Sequence, residues 1–420
     1  MRVVHLLRKY NPAEWGGTET AIQRLFDGLR QHHVTPITYC PRIENSGGTD
    51  PLVEAGFMVK RFNACVPIFG ISPQRERQFI AVGGNLMSFD LPGLLWREKG
   101  IDLIHSHVLN RLGSIAAFVA RRRKLPLVLT IHGGLLDLPQ ALRDSLQPPR
   151  RDGWEWGKVF GAALRSRRLL HYCDAILTCN QKEAALLQEQ HPAKRILVHP
   201  HGVPTSLYRK DHRETARESF PAIHDRRLLL AAGRIDPVKN QLWLIEQAPE
   251  IFRRHPDAML VLAGACTNEG YGESLRRRIE QLALQDRVVL TGGLPPGHPR
   301  LIGLFQSAEA VLLPSISETF GLVILEAWAA GTTVISSRTS GALDLVRNGE
   351  NGWLFDLTDP KTFHGAVGRT LLQPDLKAGL AAAGGKLAGA RYDATMLAGR
   401  MKGLYEQLIA EKNALRNSAR

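Results

Sequence analysis

Several features are missing from this sequence of 420 residues, and each absence narrows what the chain can do. No apolar run approaches the roughly 18 to 20 residues that cross a bilayer. The N-terminus, M-R-V-V-H-L-L-R-K-Y, has too short an apolar core for a signal peptide and is predicted to form a first strand. The five scattered cysteines form no C-x-x-C pair, which favours a reducing, cytoplasmic setting with the thiols as small core residues.

Nucleic-acid-binding motifs are absent as well. The sequence has no helix-turn-helix, zinc-finger or RNP-like aromatic pattern, so no nucleic-acid partner is predicted. The charge balance is the one unusual total: 54 Lys and Arg against 40 Asp and Glu give a net charge of +14. Such an excess favours anionic partners, among which anionic lipid headgroups and nucleotide sugars remain.

Short apolar runs alternate with helix-length segments along most of the chain. This alternation predicts βαβ units and parallel sheets, hence an α/β protein. The strand-like runs lie at 2–7, 34–40, 57–62, 101–106, 127–131, 175–179, 196–199, 228–232, 258–263, 288–290, 310–313 and 333–336.

One loop-and-helix segment carries the most chemical information. A buried strand ends at Leu313, and a helix is predicted from Leu322 to Ala330 after Gly321. Backbone N–H groups around residues 320–322 would be unpaired at the helix start and would attract a diphosphate. Glu318 and Glu326 can face the same crevice, where their oxygens suit vicinal sugar hydroxyls. The plainer alternative is one loop charge and one solvated helix residue.

A second phosphate-binding pattern, G-R-I-D-P-V-K-N, follows the strand 228–232. Arg234 can bind a diphosphate through two parallel hydrogen bonds, and Lys239 can bind it as a compact charge. The alternative is a salt bridge between Arg234 and Asp236, or a solvated turn.

The N-terminal half offers two further candidate sites. Gly16 and Gly17 permit close approach of a ligand at the start of a helix, although a plain strand-to-helix turn has the same pattern. His132 lies at the carboxyl end of another strand, in T-I-H-G. His105 and His107 alternate at the end of another strand, where we expect hydrogen bonds that cap a loop rather than metal binding.

Residues 147–171 combine basic and aromatic side chains, among them Trp154, Trp156 and Phe160. A basic segment with interfacial aromatics can rest on an anionic membrane, at about 1 kcal/mol per basic residue near the surface. A solvated helix with an aromatic core face is the equally open alternative.

These motifs together resemble the retaining GT-B glycosyltransferases of family 4. The pattern S-x-x-E-x-F-G-L-x-x-x-E-A-x-A-x-G at 315–331, with G-R-x-x-x-x-K-N upstream, is similar to that family's donor-site signature. The resemblance implies that Glu318 contacts the transferred sugar, that Glu326 binds the ribose, and that Arg234 and Lys239 bind the diphosphate. It also implies that His132 faces the donor sugar. The implied donor-binding residues are Gly16, Gly17, Arg234, Lys239, Glu318, Phe320, Gly321, Leu322 and Glu326.

The implied fold is GT-B, with two Rossmann-like domains facing across a cleft. We expect an acceptor domain at 1–208, a linker at 209–226, a donor domain at 227–391 and a C-terminal helix at 392–420 that crosses back to the first domain. The stretch H-P-H-G-V-P departs from the family, since His201 replaces the usual Asn and Pro204 the usual Asp.

The implied activity is transfer of a hexose, with retention, from a UDP- or GDP-sugar to a saccharide or lipid-linked acceptor in polysaccharide or glycolipid synthesis. The sequence has no D-x-D motif, so no metal is expected to bind the diphosphate, and no cofactor is predicted. We expect a cytoplasmic enzyme, with peripheral contact at the inner membrane face as a further option. Two alternatives stay open: an epimerase or phosphorylase on the same fold, and a weakly catalytic binding subunit.

Overall fold

The computed structural model describes residues 1–8, 10, 15–43, 50–82, 86–133 and 155–418, without the side chains of residues 78, 81 and 82. The chain folds into two compact units. One unit is Met1–Pro200 with Thr395–Arg420, and the other is His201–Ala394.

The first unit is built on a seven-stranded sheet with the order β3-β2-β1-β4-β5-β6-β7, whose neighbours pair in parallel. Every residue of β5 is buried, because helices cover both faces of a parallel sheet and its strands are therefore apolar throughout. The order reverses between β1 and β4, which leaves a crevice at the carboxyl ends. The strands are Arg2–Leu6 (β1), Thr35–Pro41 (β2), Met58–Phe62 (β3), Leu103–Ser106 (β4), Leu127–Ile131 (β5), Ala175–Thr178 (β6) and Ile196–Val198 (β7).

The helices of this unit connect or flank the strands. They are Gly17–Gln31, Pro51–Glu54, Pro73–Val82, Leu91–Arg97, Asn110–Arg123, Gly157–Ala163, Leu169–Tyr172 and Gln181–Gln190, with a 3-10 turn at Ser166–Arg168.

The second unit has a six-stranded parallel sheet with the order β10-β9-β8-β11-β12-β13. Its strand order reverses between the two central strands, β8 and β11. A ligand is therefore expected at the carboxyl ends of these two strands. The strands are Arg227–Ala232 (β8), Ala258–Ala263 (β9), Val288–Gly292 (β10), Ala308–Leu313 (β11), Thr333–Ser337 (β12) and Trp353–Phe355 (β13). The helices are Thr205–Arg209, Arg213–Ser219, Gln241–Arg254, Glu269–Gln281, Pro299–Ser307, Leu322–Ala329, Ser340–Leu345, Pro360–Leu372 and Pro374–Arg391, with a 3-10 turn at Pro221–Ile223.

The segment expected to be a linker, 209–226, is instead folded into the second unit. It contains the helix Arg213–Ser219, whose Ala216 is fully buried, and the backbone N–H of His212 donates to Gln306 Oε1 at 2.8 Å. The charged side chains of this helix are exposed, while the single buried residue Ala216 anchors its other face. The change of unit falls at Pro200, earlier than the predicted boundaries.

The C-terminal helix, Ala394–Ser418, lies with its main part in the first unit. Met401, Tyr405 and Leu408 are buried in the core that also contains Val3 and Phe26. Among the described residues, no helix combines the length and the apolar character that crossing a bilayer requires.

Candidate active site

Two loops of the second unit lie side by side at the carboxyl ends of β8 and β11, where the strand order reverses. One follows β8 and carries Arg234 and Lys239, and the other follows β11 and carries Glu318. The backbone N–H of Ile316 donates to the carbonyl of Val238 at 2.8 Å. The two loops predicted to bind the donor are therefore in direct contact.

Asp236 shapes the first of these loops. Its Oδ1 accepts hydrogen bonds from the backbone N–H groups of Val238 and Lys239, both at 3.0 Å, so the turn closes on a side chain. Arg234 Nη2 lies 3.5 Å from Asp236 Oδ2, which is the salt bridge expected as the alternative. The Arg234 side chain is nevertheless 45% exposed, so its guanidinium remains accessible to a ligand.

Glu318 pairs with Lys239 across the two loops, with both side chains mostly buried. The Glu318 carbonyl accepts the N–H of Gly341 at 2.8 Å. A Cβ added at Gly341 would lie 2.6 Å from the backbone of Phe320, so the helix Ser340–Leu345 packs directly against this loop. The carboxylate predicted to contact the sugar and the ammonium predicted to bind the diphosphate are thus held together.

The helix Leu322–Ala329 begins at Gly321, whose φ of +97° suits glycine. No side chain among the described residues caps this helix start, which leaves it suited to an anion. Glu326, one turn further, is only 6% exposed. Phe320 is buried with its ring edge-to-face against His201 at 4.9 Å, so of Phe320 only the backbone can serve the site. His201, where the sequence departs from the family, is therefore a packing partner of the site loop.

Gly16 and Gly17 start the first helix of the first unit. Gly16 is extended, with φ −134°, and its N–H donates to the Glu19 carboxylate at 3.1 Å, which caps the helix Gly17–Gln31. The strand-to-helix turn is thus present, and a ligand contact here stays a prediction.

His132 directly follows β5 in the first unit, and its Nε2 lies 2.9 Å from His107 Nδ1. Burial, with a smaller effect of the Arg8 charge, lowers the pKa of His132 to about 4. The imidazole is therefore neutral at physiological pH and acts as a hydrogen-bonding group.

A wider histidine cluster surrounds His107. His5 Nδ1 lies 3.0 Å from His107 Nε2, while His105 Nδ1 lies 2.6 Å from the hydroxyl of Tyr405 and His105 Nε2 lies 2.6 Å from Thr130 Oγ1. The sequence predicts hydrogen bonds for His105 and His107 but gives no role to His5. The available signal was the pairing of β1 with β4, which places His5 opposite His105.

His5, His105 and His107 each offer a ligand atom, and these atoms lie within 4.8 Å of one another, as metal ligands can. Their donor chemistry fits an ion poorly. Both ring nitrogens of His105 already form hydrogen bonds, and its ring stacks on His107 at 4.2 Å. Lone pairs lie in the plane of each ring, so stacked rings do not aim them at a common point.

The structure thus brings the loop of Arg234 and Lys239 against the loop of Glu318 in the second unit, with Gly321, Leu322 and Glu326 at the start of and within the helix that follows. It places Gly16, Gly17 and His132 in the first unit. Of the basic segment 147–171, residues 147–154 lie outside the described residues. Within the remainder, Trp156 and Phe160 join Phe69 and Phe89 in an exposed aromatic cluster that the sequence did not predict.

Known protein families and relatives match most of the chain. The family described as "Glycosyl transferases group 1" matches residues 212–386, and "Glycosyl transferase 4-like domain" matches residues 16–202. A D-inositol 3-phosphate glycosyltransferase of Acidothermus cellulolyticus is 33% identical over 68% of this chain, which spans 62% of that relative's length. The D-inositol 3-phosphate glycosyltransferase 2 of Catenulispora acidiphila is 30% identical over 69% of this chain and 70% of its own.

Solved structures share the fold. HepE of Anabaena, in complex with UDP and glucose, matches with a TM-score of 0.72 at 17% identity, over 97% of this chain and 100% of its own. WaaG, a glycosyltransferase involved in lipopolysaccharide biosynthesis, matches with a TM-score of 0.62 at 18% identity, over 96% and 99%. The predicted GT-B fold is confirmed by these two likenesses.

Proposed function

The chain belongs to the glycosyl transferases group 1 family, as predicted, and from this premise we propose a retaining hexosyltransferase that uses a UDP- or GDP-sugar. The observation that carries the proposal is the contact between the two site loops of the second unit. It brings Arg234, Lys239 and Glu318 to the carboxyl ends of β8 and β11, next to the start of the helix that carries Glu326. Phosphates and diols are the groups that this set of side chains recognises.

Each residue has a distinct chemical task in this proposal. Arg234, Lys239 and the helix start at Leu322 stabilise the negative charge that develops on the leaving diphosphate, so no metal ion is required for that task. Glu318 contacts the transferred hexose and Glu326 the ribose hydroxyls, in accordance with the family resemblance.

We propose a saccharide or a lipid-linked saccharide as acceptor, in polysaccharide or glycolipid synthesis. The names of the relatives give a second candidate, an inositol phosphate. One observation favours it: the exposed Arg8 lies close enough to His132 to lower its pKa, and a cation there can bind an acceptor phosphate. Transfer assays with D-inositol 3-phosphate and with lipid-linked saccharides decide between the two.

We place the protein in the cytoplasm, in peripheral contact with the inner membrane face. The support is the aromatic cluster of Phe69, Phe89, Trp156 and Phe160, in which Phe69 and Phe89 are 58% and 62% exposed. Exposed aromatic rings next to cations suit an anionic lipid surface. The exposed basic residues nearby in sequence are Lys158, Arg165, Arg167 and Arg168.

The direct test is thermal unfolding with UDP, GDP, ADP and CMP, on wild type and on Glu326→Ala. One nucleotide should stabilise the wild type, and Glu326→Ala should weaken its binding by about 1.5–3 kcal/mol, as for a hydrogen bond to a charged group. Glu350→Ala is the control, because it removes an exposed carboxylate that belongs to neither site loop. It should leave the nucleotide-induced rise in unfolding temperature unchanged. No stabilisation by any nucleotide would favour the binding-subunit alternative.

A further inference from the structure

Gln241 restrains the loop that carries Arg234 and Lys239. This loop spans residues 233–240, between β8 and the helix that begins at Gln241. The Gln241 side chain is buried, and its Nε2 donates to the backbone carbonyl of Arg234 at 2.8 Å. A side chain at the first position of the helix therefore reaches back to the residue that we expect to bind the diphosphate.

The backbone on both sides of Arg234 is anchored to a neighbouring strand and its loop. Before Arg234, the N–H of Gly233 donates to the carbonyl of Ala263, the last residue of β9, at 2.9 Å. After Arg234, the N–H of Ile235 donates to the carbonyl of Ala265 at 2.9 Å. Because each peptide unit is planar and rigid, anchors before and after a residue limit the directions that its Cα–Cβ bond can take.

Gln241 completes the anchor that follows Arg234. The carbonyl of Arg234 and the N–H of Ile235 belong to one peptide unit, so this unit accepts from Gln241 at one end and donates to Ala265 at the other. Without Gln241 the unit is bonded at one end only and can tilt about the remaining hydrogen bond. The position of the Arg234 guanidinium thus depends on the amide of Gln241.

The amide of Gln241 contributes little net stability. A carbonyl only accepts hydrogen bonds, so the amide nitrogen must face Arg234. The amide oxygen, Oε1, is then buried and has no hydrogen-bond partner among the described residues. A buried acceptor without a partner costs free energy, which offsets the gain from the hydrogen bond of Nε2. The restraint on the loop therefore explains this side chain better than a contribution to stability does.

The start of the helix that carries Gln241 is itself fixed. The next residue, Leu242, donates its N–H to the hydroxyl of Tyr271 at 2.8 Å, and Tyr271 belongs to the helix Glu269–Gln281. The Gln241 amide thus extends from backbone that is bonded to a second helix. A binding side chain needs such support, because a site requires its groups within about 0.5 Å of the productive geometry.

We propose that Gln241 is a positioning residue for Arg234 in the transfer reaction. Through the carbonyl of Arg234 it restrains the backbone from which the guanidinium reaches the leaving diphosphate, where negative charge grows as the glycosidic bond breaks. Gln241 acts through Arg234 and does not itself contact the donor. The role in transfer rests on the proposed function, whereas the restraint on the loop does not.

Gln241→Leu tests the restraint without any substrate. Leucine fills a similar volume but cannot donate to the carbonyl of Arg234. Exchange of the Ile235 amide hydrogen, followed by NMR of the full chain, should become about fivefold faster, because its peptide unit has lost one of two anchors. The unfolding temperature should change by less than about 3 °C, since leucine also removes the buried Oε1.

Wild-type exchange of Ile235 in folded Gln241→Leu would overturn the proposal. Gln241→Met, whose unbranched side chain matches glutamine in length and has no N–H donor, keeps the test decisive if Gln241→Leu does not fold.

Gln247→Leu is the matched control. Gln247 lies on the same helix, and its Oε1 lies 3.1 Å from His364 Nε2, on the helix Pro360–Leu372. Its replacement removes an amide from the helix without touching the carbonyl of Arg234, so Ile235 exchange and nucleotide binding should stay as in wild type. Equal effects of Gln241→Leu and Gln247→Leu would overturn the proposal.

A double-mutant cycle tests whether Gln241 acts through Arg234. Calorimetry with UDP and with GDP should show that Gln241→Leu weakens binding of the preferred nucleotide by about tenfold, the effect of one hydrogen bond to a charged group. In an Arg234→Ala background, the same substitution should change the affinity by less than about twofold, because the group that it positions is absent. Equal losses in the two backgrounds would overturn the positioning role.

These measurements separate this inference from the proposed function. Faster Ile235 exchange in Gln241→Leu, together with a wild type that binds no nucleotide and transfers no sugar, would contradict the proposed function alone. Wild-type exchange and wild-type nucleotide affinity in Gln241→Leu, together with a wild type that transfers sugar, would contradict this inference alone.

Discussion

Lys239 and Glu318 are in contact where a diphosphate would compete for the same ammonium group. The ammonium has three N–H donors but a single positive charge, which the two anions would share, so we expect donor binding to weaken this ion pair. The released carboxylate is then available to the sugar hydroxyls. In the proposed function the pair therefore opposes donor binding, although the transfer needs the same carboxylate.

Glu318→Gln should consequently separate affinity from turnover. Removing the competing charge should tighten UDP binding by roughly fivefold, the value of a partly exposed ion pair of about 1 kcal/mol. Turnover should fall by at least about tenfold, because the carboxylate acts on the sugar as the transition state forms. Calorimetry with UDP and initial rates with the nucleotide sugar measure the two effects.

Lys239→Met is the companion variant, since it breaks the same pair from the other side. It should weaken UDP binding and lower turnover together. If Glu318→Gln also weakens UDP binding, the carboxylate is not a competitor of the diphosphate, and this account of the pair is wrong.

At the scale of elements, the helix Ser340–Leu345 holds the Glu318 loop in place. Gly341 lies so close to Phe320 that an added methyl would meet its backbone at 2.6 Å, and backbone cannot move aside as a flexible side chain does. Gly341→Ala should therefore destabilise the protein by about 1–3 kcal/mol through overpacking. It should also impair nucleotide binding, because Gly341 donates to the carbonyl of Glu318. Denaturant unfolding and UDP calorimetry measure the two effects.

Gly365→Ala is the matched control, since Gly365 lies in the helix Pro360–Leu372 with nothing within 4 Å of an added Cβ. It should stabilise the protein by about 0.5–1 kcal/mol, the usual gain of Ala over Gly within a helix. Equal effects of the two substitutions would show that close packing at Gly341 has no consequence.

The sequence predicted best those features that depend on residues close together along the chain. The spacing of Glu318 and Glu326 fixes a loop position and a helix position within one βα unit, and the predicted helix differs from Leu322–Ala329 by one residue. The orientation of Phe320 was not predictable, because the motif does not say which side of the loop faces the core. The hydrogen bonds that link His5 to His107 and His107 to His132 were also not predicted. These residues lie on or directly after three strands that are distant in sequence.

At the scale of the whole molecule, composition gave one wrong prediction, a linker at 209–226, and one useful quantity, the net charge. The charged segment 209–226 resembled a linker, yet buried Ala216 makes part of it a packed helix. The net charge of +14 is a property that no single element explains, and it bears on which surfaces the protein meets. Such a charge attracts the protein to anionic lipid over roughly a Debye length, about 30 Å at 0.01 M salt and 8 Å at 0.15 M.

The membrane proposal is tested by sedimentation with vesicles that contain anionic phosphatidylglycerol. Wild type should bind these vesicles, bind neutral phosphatidylcholine vesicles weakly, and dissociate as salt rises, because screening weakens the attraction. Phe89→Ser removes the most exposed ring of the aromatic cluster and should lower binding by about tenfold, which corresponds to about 1.4 kcal/mol of lost apolar burial. Phe118→Ser is the control, since Phe118 is 43% exposed outside the cluster and its loss leaves the net charge the same. Equal binding of Phe89→Ser and wild type would show that the aromatic cluster does not meet the lipid, and that the charge acts alone.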